Sequence, residues 1–192
     1  MKRRPLIGLG LGLLATIGAV AVVAAPHSAK RSAELENFHL MAPSGRPYSI
    51  ESFSSGSVLA VYFGYATCLR TCPTALNSIA EAIDRLGAVG ASVQPVFIDL
   101  DPERAALLSI PLYMEAFGPR FLGLTGSPED IEGAAKSFKV KVERIQFSAD
   151  PSDYAMKHAS PIFVMRPNDP HPKSLPATSS PADIAAALRN AL

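Results

Sequence analysis

Apolar positions along the chain fall into continuous runs and helical stripes. The longest run, Leu6 to Ala25, is uncharged and about 20 residues long, enough to cross a bilayer as a helix. Val58-Leu59-Ala60-Val61-Tyr62-Phe63 is shorter and ends at Gly64, the pattern of a strand buried on both faces. Val93 to Ile98 predicts a second buried strand and Ile162 to Met165 another, with shorter strands at Phe121 to Leu124 and Lys139 to Ile145. Between them lie the stripes. Pro73 suits the first turn of a helix reaching about Leu86, with Leu76, Ile79, Ala80 and Ile83 on one face. Arg104 to Phe117 predicts a helix that Pro111 kinks or interrupts. Ser127-Pro128-Glu129-Asp130 sets an N-cap, a proline and acids in the order that opens a helix, and Pro181 to Leu192 predicts a terminal helix with Ile184 and Leu188 inward. Phe38-His39-Leu40 and Tyr48-Ser49-Ile50 flank Pro43-Ser44-Gly45 as a small hairpin. Residues 166–181, rich in Pro, Ser and Asn, read as loop.

Strands alternating with helices predict an α/β domain, a central sheet with helices on both faces. The organisation that follows is a basic start at 1–5, an apolar segment at 6–25, a polar tether at 26–36 and a folded domain over 37–192. Lys2, Arg3 and Arg4 before the apolar run fit either a secretory signal, with Val23-Ala24-Ala25 as its cleavage site, or an uncleaved transmembrane anchor. The length of the run favours the anchor. In both cases the basic start stays in the cytoplasm and the domain lies on the extracytoplasmic, periplasmic side of the inner membrane, although Lys30 and Arg31 weakly oppose that orientation.

Charge narrows the function classes. Five of the 18 Lys and Arg lie in residues 1–31, where there is no acid, leaving 13 basic against 17 acidic side chains in the rest. No basic stripe remains to bind nucleic acid.

The chain has only two cysteines, Cys68 and Cys72. A disulfide across so short a loop constrains the unfolded chain little, so the pair is a poor stabiliser and a good reactive site. It lies between the strand Val58–Phe63 and the helix begun at Pro73, at the carboxyl end of the sheet where α/β sites collect. The helix N-terminus favours a thiolate, and Arg70 between the cysteines adds positive charge. Two thiolates are a partial site for a soft ion such as Cu(I), and equally a redox pair. A third donor comes from His27, His39, His158 or His171. His27 sits in the tether, His171 in the Pro-rich loop and His39 in the hairpin, while His158 lies just before the strand Ile162–Met165, at a sheet end.

The stretch from Val61 through Cys68-Leu69-Arg70-Thr71-Cys72-Pro73-Thr74 resembles the core motif of the SCO/SenC family. Phe97-Ile98-Asp99-Leu100-Asp101-Pro102-Glu103-Arg104, Gly123-Leu124-Thr125-Gly126-Ser127-Pro128 and Tyr154-Ala155-Met156-Lys157-His158-Ala159-Ser160 resemble its next blocks in the same order, with 86 residues from Cys72 to His158. The resemblance covers roughly residues 36–190. It implies a thioredoxin-like fold with a mixed sheet, anchored by a single N-terminal transmembrane helix. It also implies copper, as Cu(I) or Cu(II), bound by Cys68, Cys72 and His158 in service of cytochrome c oxidase assembly. The implied partner is the oxidase subunit that carries the copper centre, or another copper chaperone. A metallochaperone is the leading reading. A thiol-disulfide oxidoreductase acting through Cys68 and Cys72, with Cys68 the attacker and Cys72 the resolver, is the alternative, and a binding module without metal is the third class. The chain departs from the family pattern at Leu69-Arg70-Thr71, where Pro and an acid are common, at Lys157 before the histidine, and over 166–180, where a hairpin strand is usual.

Other side chains are secondary candidates. Met156 and Met165 are soft thioethers better suited to the core. Asp99 can orient a ligand, and Asp101 reads as the cap of the next helix. Tyr62, Phe63 and Tyr65 are expected in the core and the site lining.

Overall fold

The structure, a computed structural model of the chain, describes residues 39–192 apart from 69, 105–108, 160, 168 and 170. The expected membrane segment, the tether, His27 and Phe38 lie outside the described residues. Among those described, no helix is long and apolar enough to cross a membrane.

A five-stranded mixed sheet organises the domain. Its strands are β3 (Val58–Gly64), β4 (Val93–Asp99), β5 (Leu122–Leu124), β8 (Ile162–Met165) and β9 (Lys173–Leu175), in the spatial order β5-β4-β3-β8-β9. β3 runs parallel to β4 and β4 parallel to β5, whereas β8 is antiparallel to both β3 and β9. Two ribbons lie outside it, the first bridged through Met41 to Thr125 just after β5. β1 (Leu40–Met41) pairs with β2 (Pro47–Tyr48), and β6 (Val142–Gln146) pairs with β7 (Tyr154–His158). Among the described residues the α-helices are α1 (Thr71–Asp84), α2 (Ser109–Glu115), α3 (Pro128–Ser137) and α4 (Pro181–Ala191).

Every residue of β3 is buried, because the sheet is covered on both sides. Val58, Ala60 and Tyr62 face one core layer with Leu76, Ile79 and Ile83 of α1 and Ile184 and Leu188 of α4. Leu59, Val61 and Phe63 alternate to the other face, against Ile131 and Ala134 of α3. There Phe63, Phe138 and Phe163 pack edge to face, with centroids 5.0–6.2 Å apart. Met165 belongs to this second layer, which removes it from the site. α3 opens as expected, with a capping box between Ser127 and Asp130 and Pro128 in its first turn.

Several elements differ from expectation, among them β7, where no strand is expected from the sequence. The helix expected over Arg104–Phe117 is described at Ser109–Glu115, a span that holds Pro111, while Arg104 lies in a turn ahead of it. Residues 166–181 are not all loop, since Lys173–Leu175 adds an edge strand to β8. Ile50 leaves the small hairpin for a short 3-10 turn, Ile50–Ser52.

Candidate metal centre

β3 and β4 end side by side, with Gly64 opposite Asp99 in the parallel register. The chain leaves β3 through Tyr65, turns at Cys68 and enters α1 at Thr71. Cys72 therefore lies inside the first turn of the helix and not ahead of it. Both cysteines are free thiols. Cys68 retains 9% exposure and Cys72 none.

The geometry makes the two sulfurs unlike. Arg70 occupies the N-cap of α1 without a side-chain hydrogen bond, so the first-turn donors need another acceptor. Cys68 Sγ supplies it, accepting the Cys72 N–H at 3.5 Å. Burial raises the Cys68 thiol. The Cys72 N–H, the Cys72 thiol, the Arg70 N–H and the Tyr65 hydroxyl outweigh it and hold Cys68 below the ordinary thiol value. Arg70 thus reaches the sulfur through its backbone N–H, while its side chain is exposed. Burial, together with the Cys68 sulfur, pushes Cys72 up to about 12. The Tyr62 hydroxyl, 3.9 Å from Cys72 Sγ, and a backbone hydrogen bond from Tyr65 offset only part of that.

Gly64 makes room for Cys72. A Cβ there would lie 2.8 Å from Phe97 Cε2 and 3.0 Å from Cys72 Sγ. Asp99, fully buried, accepts the Asp101 N–H on Oδ1 at 3.2 Å and a backbone hydrogen bond from Ala66 of the cysteine loop. Its Oδ2 has no hydrogen-bond partner, and burial pushes the carboxyl up to about 6. Asp101 caps no described helix. It is buried, paired with Arg104, and accepts the Tyr154 hydroxyl at 2.6 Å.

His158 ends β7 and lines the same cleft, of about 540 Å³, as Cys68, Tyr62, Tyr65 and Met156. Its ring meets Tyr65 edge to face at 5.7 Å, so Tyr65 touches both the cysteine loop and the imidazole. Burial lowers the His158 pKa, which favours the neutral, ligating form. His39 and His171 are exposed and line no part of this cleft. Among the described residues no three His, Cys, Asp or Glu side chains are already gathered closely enough to hold a metal ion. The site is thus the Cys68 thiol and the His158 imidazole on one cleft, with the buried Cys72 thiol beside Cys68, a soft donor set whose chemistry suits Cu(I). Sequence reasoning missed Tyr154 and Arg144, whose contacts with the Asp101 loop are tertiary.

The SCO1/SenC family profile matches residues 26–192. An SCO2-like protein of Rickettsia felis is 31% identical over 148 residues, covering 77% of this chain and 72% of its own. The copper-bound crystal structure of Arabidopsis thaliana ScoI is 30% identical with a TM-score of 0.70, covering 80% of this chain and 96% of that one. Copper-bound Bradyrhizobium japonicum ScoI is 29% identical with a TM-score of 0.69, covering 81% and 97%.

Proposed function

The chain belongs to the SCO1/SenC family, and on that premise we propose that it is a membrane-anchored copper-binding protein serving assembly of the copper centre of cytochrome c oxidase. The observation that carries the reading is the Cys68 thiol, held low by the start of α1 and opening with His158 onto one cleft. Cys68, Cys72 and His158 are the proposed ligands, and copper, the cargo, is released to thiolates of a docking partner by ligand exchange. That partner is the oxidase subunit carrying the copper centre, or another copper chaperone. Residues 6–25 are the proposed single-pass anchor in the inner membrane, with the domain on its extracytoplasmic side. The copper bound in the ScoI relatives supports the cargo.

The test is a Cu(I) titration of the reduced full-length chain in detergent against a competing chelator. Wild type is expected to hold one Cu(I), Cys72→Ser to lose it, and His158→Ala to bind on the order of 10- to 100-fold more weakly. Wild-type protein that retains no copper would sink the reading. Unchanged affinity in His158→Ala would remove that residue from the ligand set.

The unlike thiols favour a second activity of the same pair. Cys68 thiolate attacks a partner disulfide, forming a mixed disulfide and expelling one partner thiolate. Cys72 then loses its proton and attacks Cys68, leaving a Cys68–Cys72 disulfide and a reduced partner. Reductase activity that survives His158→Ala but not Cys72→Ser would support this role.

A further inference from the structure

His158 is carried on a ribbon that, among the described residues, pairs with no strand of the main sheet. Side chains two apart on a strand share a face, so Tyr154, Met156 and His158 lie on one side of β7. Tyr154 is 5% exposed, although the ribbon around it is largely open to solvent. Its ring is held between two guanidinium groups, Arg104 at 3.9 Å from the centroid and Arg144 at 3.6 Å. Its hydroxyl donates to Asp101 Oδ1, and its carbonyl accepts from Arg104 Nη1 at 2.8 Å. Arg104 is paired with Asp101, and Arg144 with Glu103 at 2.7 Å. All three of Asp101, Glu103 and Arg104 belong to the segment after β4, whose last residue is Asp99. Asp99 holds the Asp101 N–H on one side and Ala66 of the cysteine loop on the other. A continuous set of contacts therefore runs from the cysteine loop, through Asp99 and Asp101, to Tyr154, four residues from His158.

We propose that Tyr154, gripped between Arg104 and Arg144, is the positioning residue that sets His158 against the thiol pair. It touches neither copper nor the thiols. The ribbon pairs with no described strand of the main sheet, and this clamp ties the Tyr154 end of β7 to the segment after β4, which limits where His158 at its other end can reach. The inference rests on His158 being a ligand, as proposed above.

A double-mutant cycle on the full-length chain tests it, using Cu(I) competition. Tyr154→Leu is expected to weaken copper binding roughly tenfold, as loss of a supporting contact does, and to cause no further loss when His158 is already Ala. Arg144→Gln, a partly exposed substitution that spares the core, is expected to act in the same direction and with the same dependence on His158. Tyr154→Phe keeps the ring in the clamp and is expected to retain most of the affinity. In the copper-free chain, Tyr154→Leu should speed hydrogen exchange of β6 and β7 and leave β3 and β4 unchanged. Wild-type affinity in Tyr154→Leu, or an equal loss in both backgrounds, overturns the proposal. Unchanged affinity in His158→Ala alone instead overturns the ligand assignment beneath it, and the two failures are read from different variants.

Discussion

The backbone N–H of Cys72 points at the sulfur of Cys68, 3.5 Å away. One residue thus donates to the other's sulfur through its backbone while its own sulfur stays buried. The same helix turn stabilises charge on Cys68 and not on Cys72. In Cys72→Ser the N–H at position 72 remains, so Cys68 should alkylate with a pH midpoint below that of an ordinary thiol. In Cys68→Ser the remaining Cys72 should alkylate with a midpoint well above it, because burial disfavours its thiolate. Iodoacetamide rates against pH for the two variants check the order, and reversed midpoints would exclude Cys68 as the attacker.

Gly64 is a steric requirement of the site. Adding a methyl group there brings it to Phe97 at a distance real side chains do not show, and to Cys72 at one tighter than most packed contacts. Gly64→Ala is expected to cost about 1–3 kcal/mol in chemical denaturation, the range for overpacking a filled core. Phe97→Leu in the same chain should recover part of that loss, because the nearer of the two clashes is with its ring. Strict additivity of the two substitutions would place the strain elsewhere.

How far these features can be read from sequence depends on what each residue's signal is. β3 and β8 are legible because burial on both faces forces unbroken apolar runs. β9 is not, because an edge strand with exposed Lys173 and Ser174 needs only its backbone to pair. β7 escapes for a related reason. Its ribbon is half exposed, and Tyr154-Ala155-Met156-Lys157-His158 carries a weak alternation. The cysteine pair stands out by scarcity and by Pro73. His158 is singled out from three other histidines chiefly by family resemblance. The inequality of the thiols is invisible in the sequence, since it depends on which sulfur a backbone N–H faces. Asp101 misleads for a comparable reason, because Asp-Pro-Glu is a helix-start pattern and its real partners are Arg104 and the distant Tyr154.

Asp99 couples the fold to pH. Burial holds its carboxyl up at about 6, whereas an unfolded chain releases that proton near pH 4. Between those values the native state binds more protons than the unfolded one, so this group's contribution to stability is full below about pH 4 and is lost as pH rises through about 6. A two-unit difference corresponds to about 3 kcal/mol at most. Asp99→Asn cannot titrate, so the stability difference, variant minus wild type, should rise from pH 4 to 6. Urea denaturation of both proteins across that range measures it, and a difference that stays flat or falls would mean that Asp99 is ionised throughout.

Arg70 offers a substitution in which stability and reactivity should move apart. It is the N-cap of α1 and makes no side-chain cap hydrogen bond. An Asp there brings a capping oxygen and a negative charge to the positive end of the helix, worth about 0.5–2 kcal/mol. Capping oxygens accept from the second or third helical residue, and the third here is Pro73, which has no N–H. The only donor left is the Cys72 N–H, which Cys68 Sγ now holds. Arg70→Asp should therefore raise the melting temperature while drawing a donor away from Cys68 and setting a carboxylate beside it. Both effects raise the Cys68 thiol pKa and slow its alkylation at neutral pH. Arg70→Gln adds no charge and is a weaker cap, so it should change both quantities less. A more stable Arg70→Asp chain with unchanged Cys68 reactivity would show that the Cys72 N–H contributes little to the thiolate, and that the other donors around Cys68 hold it alone.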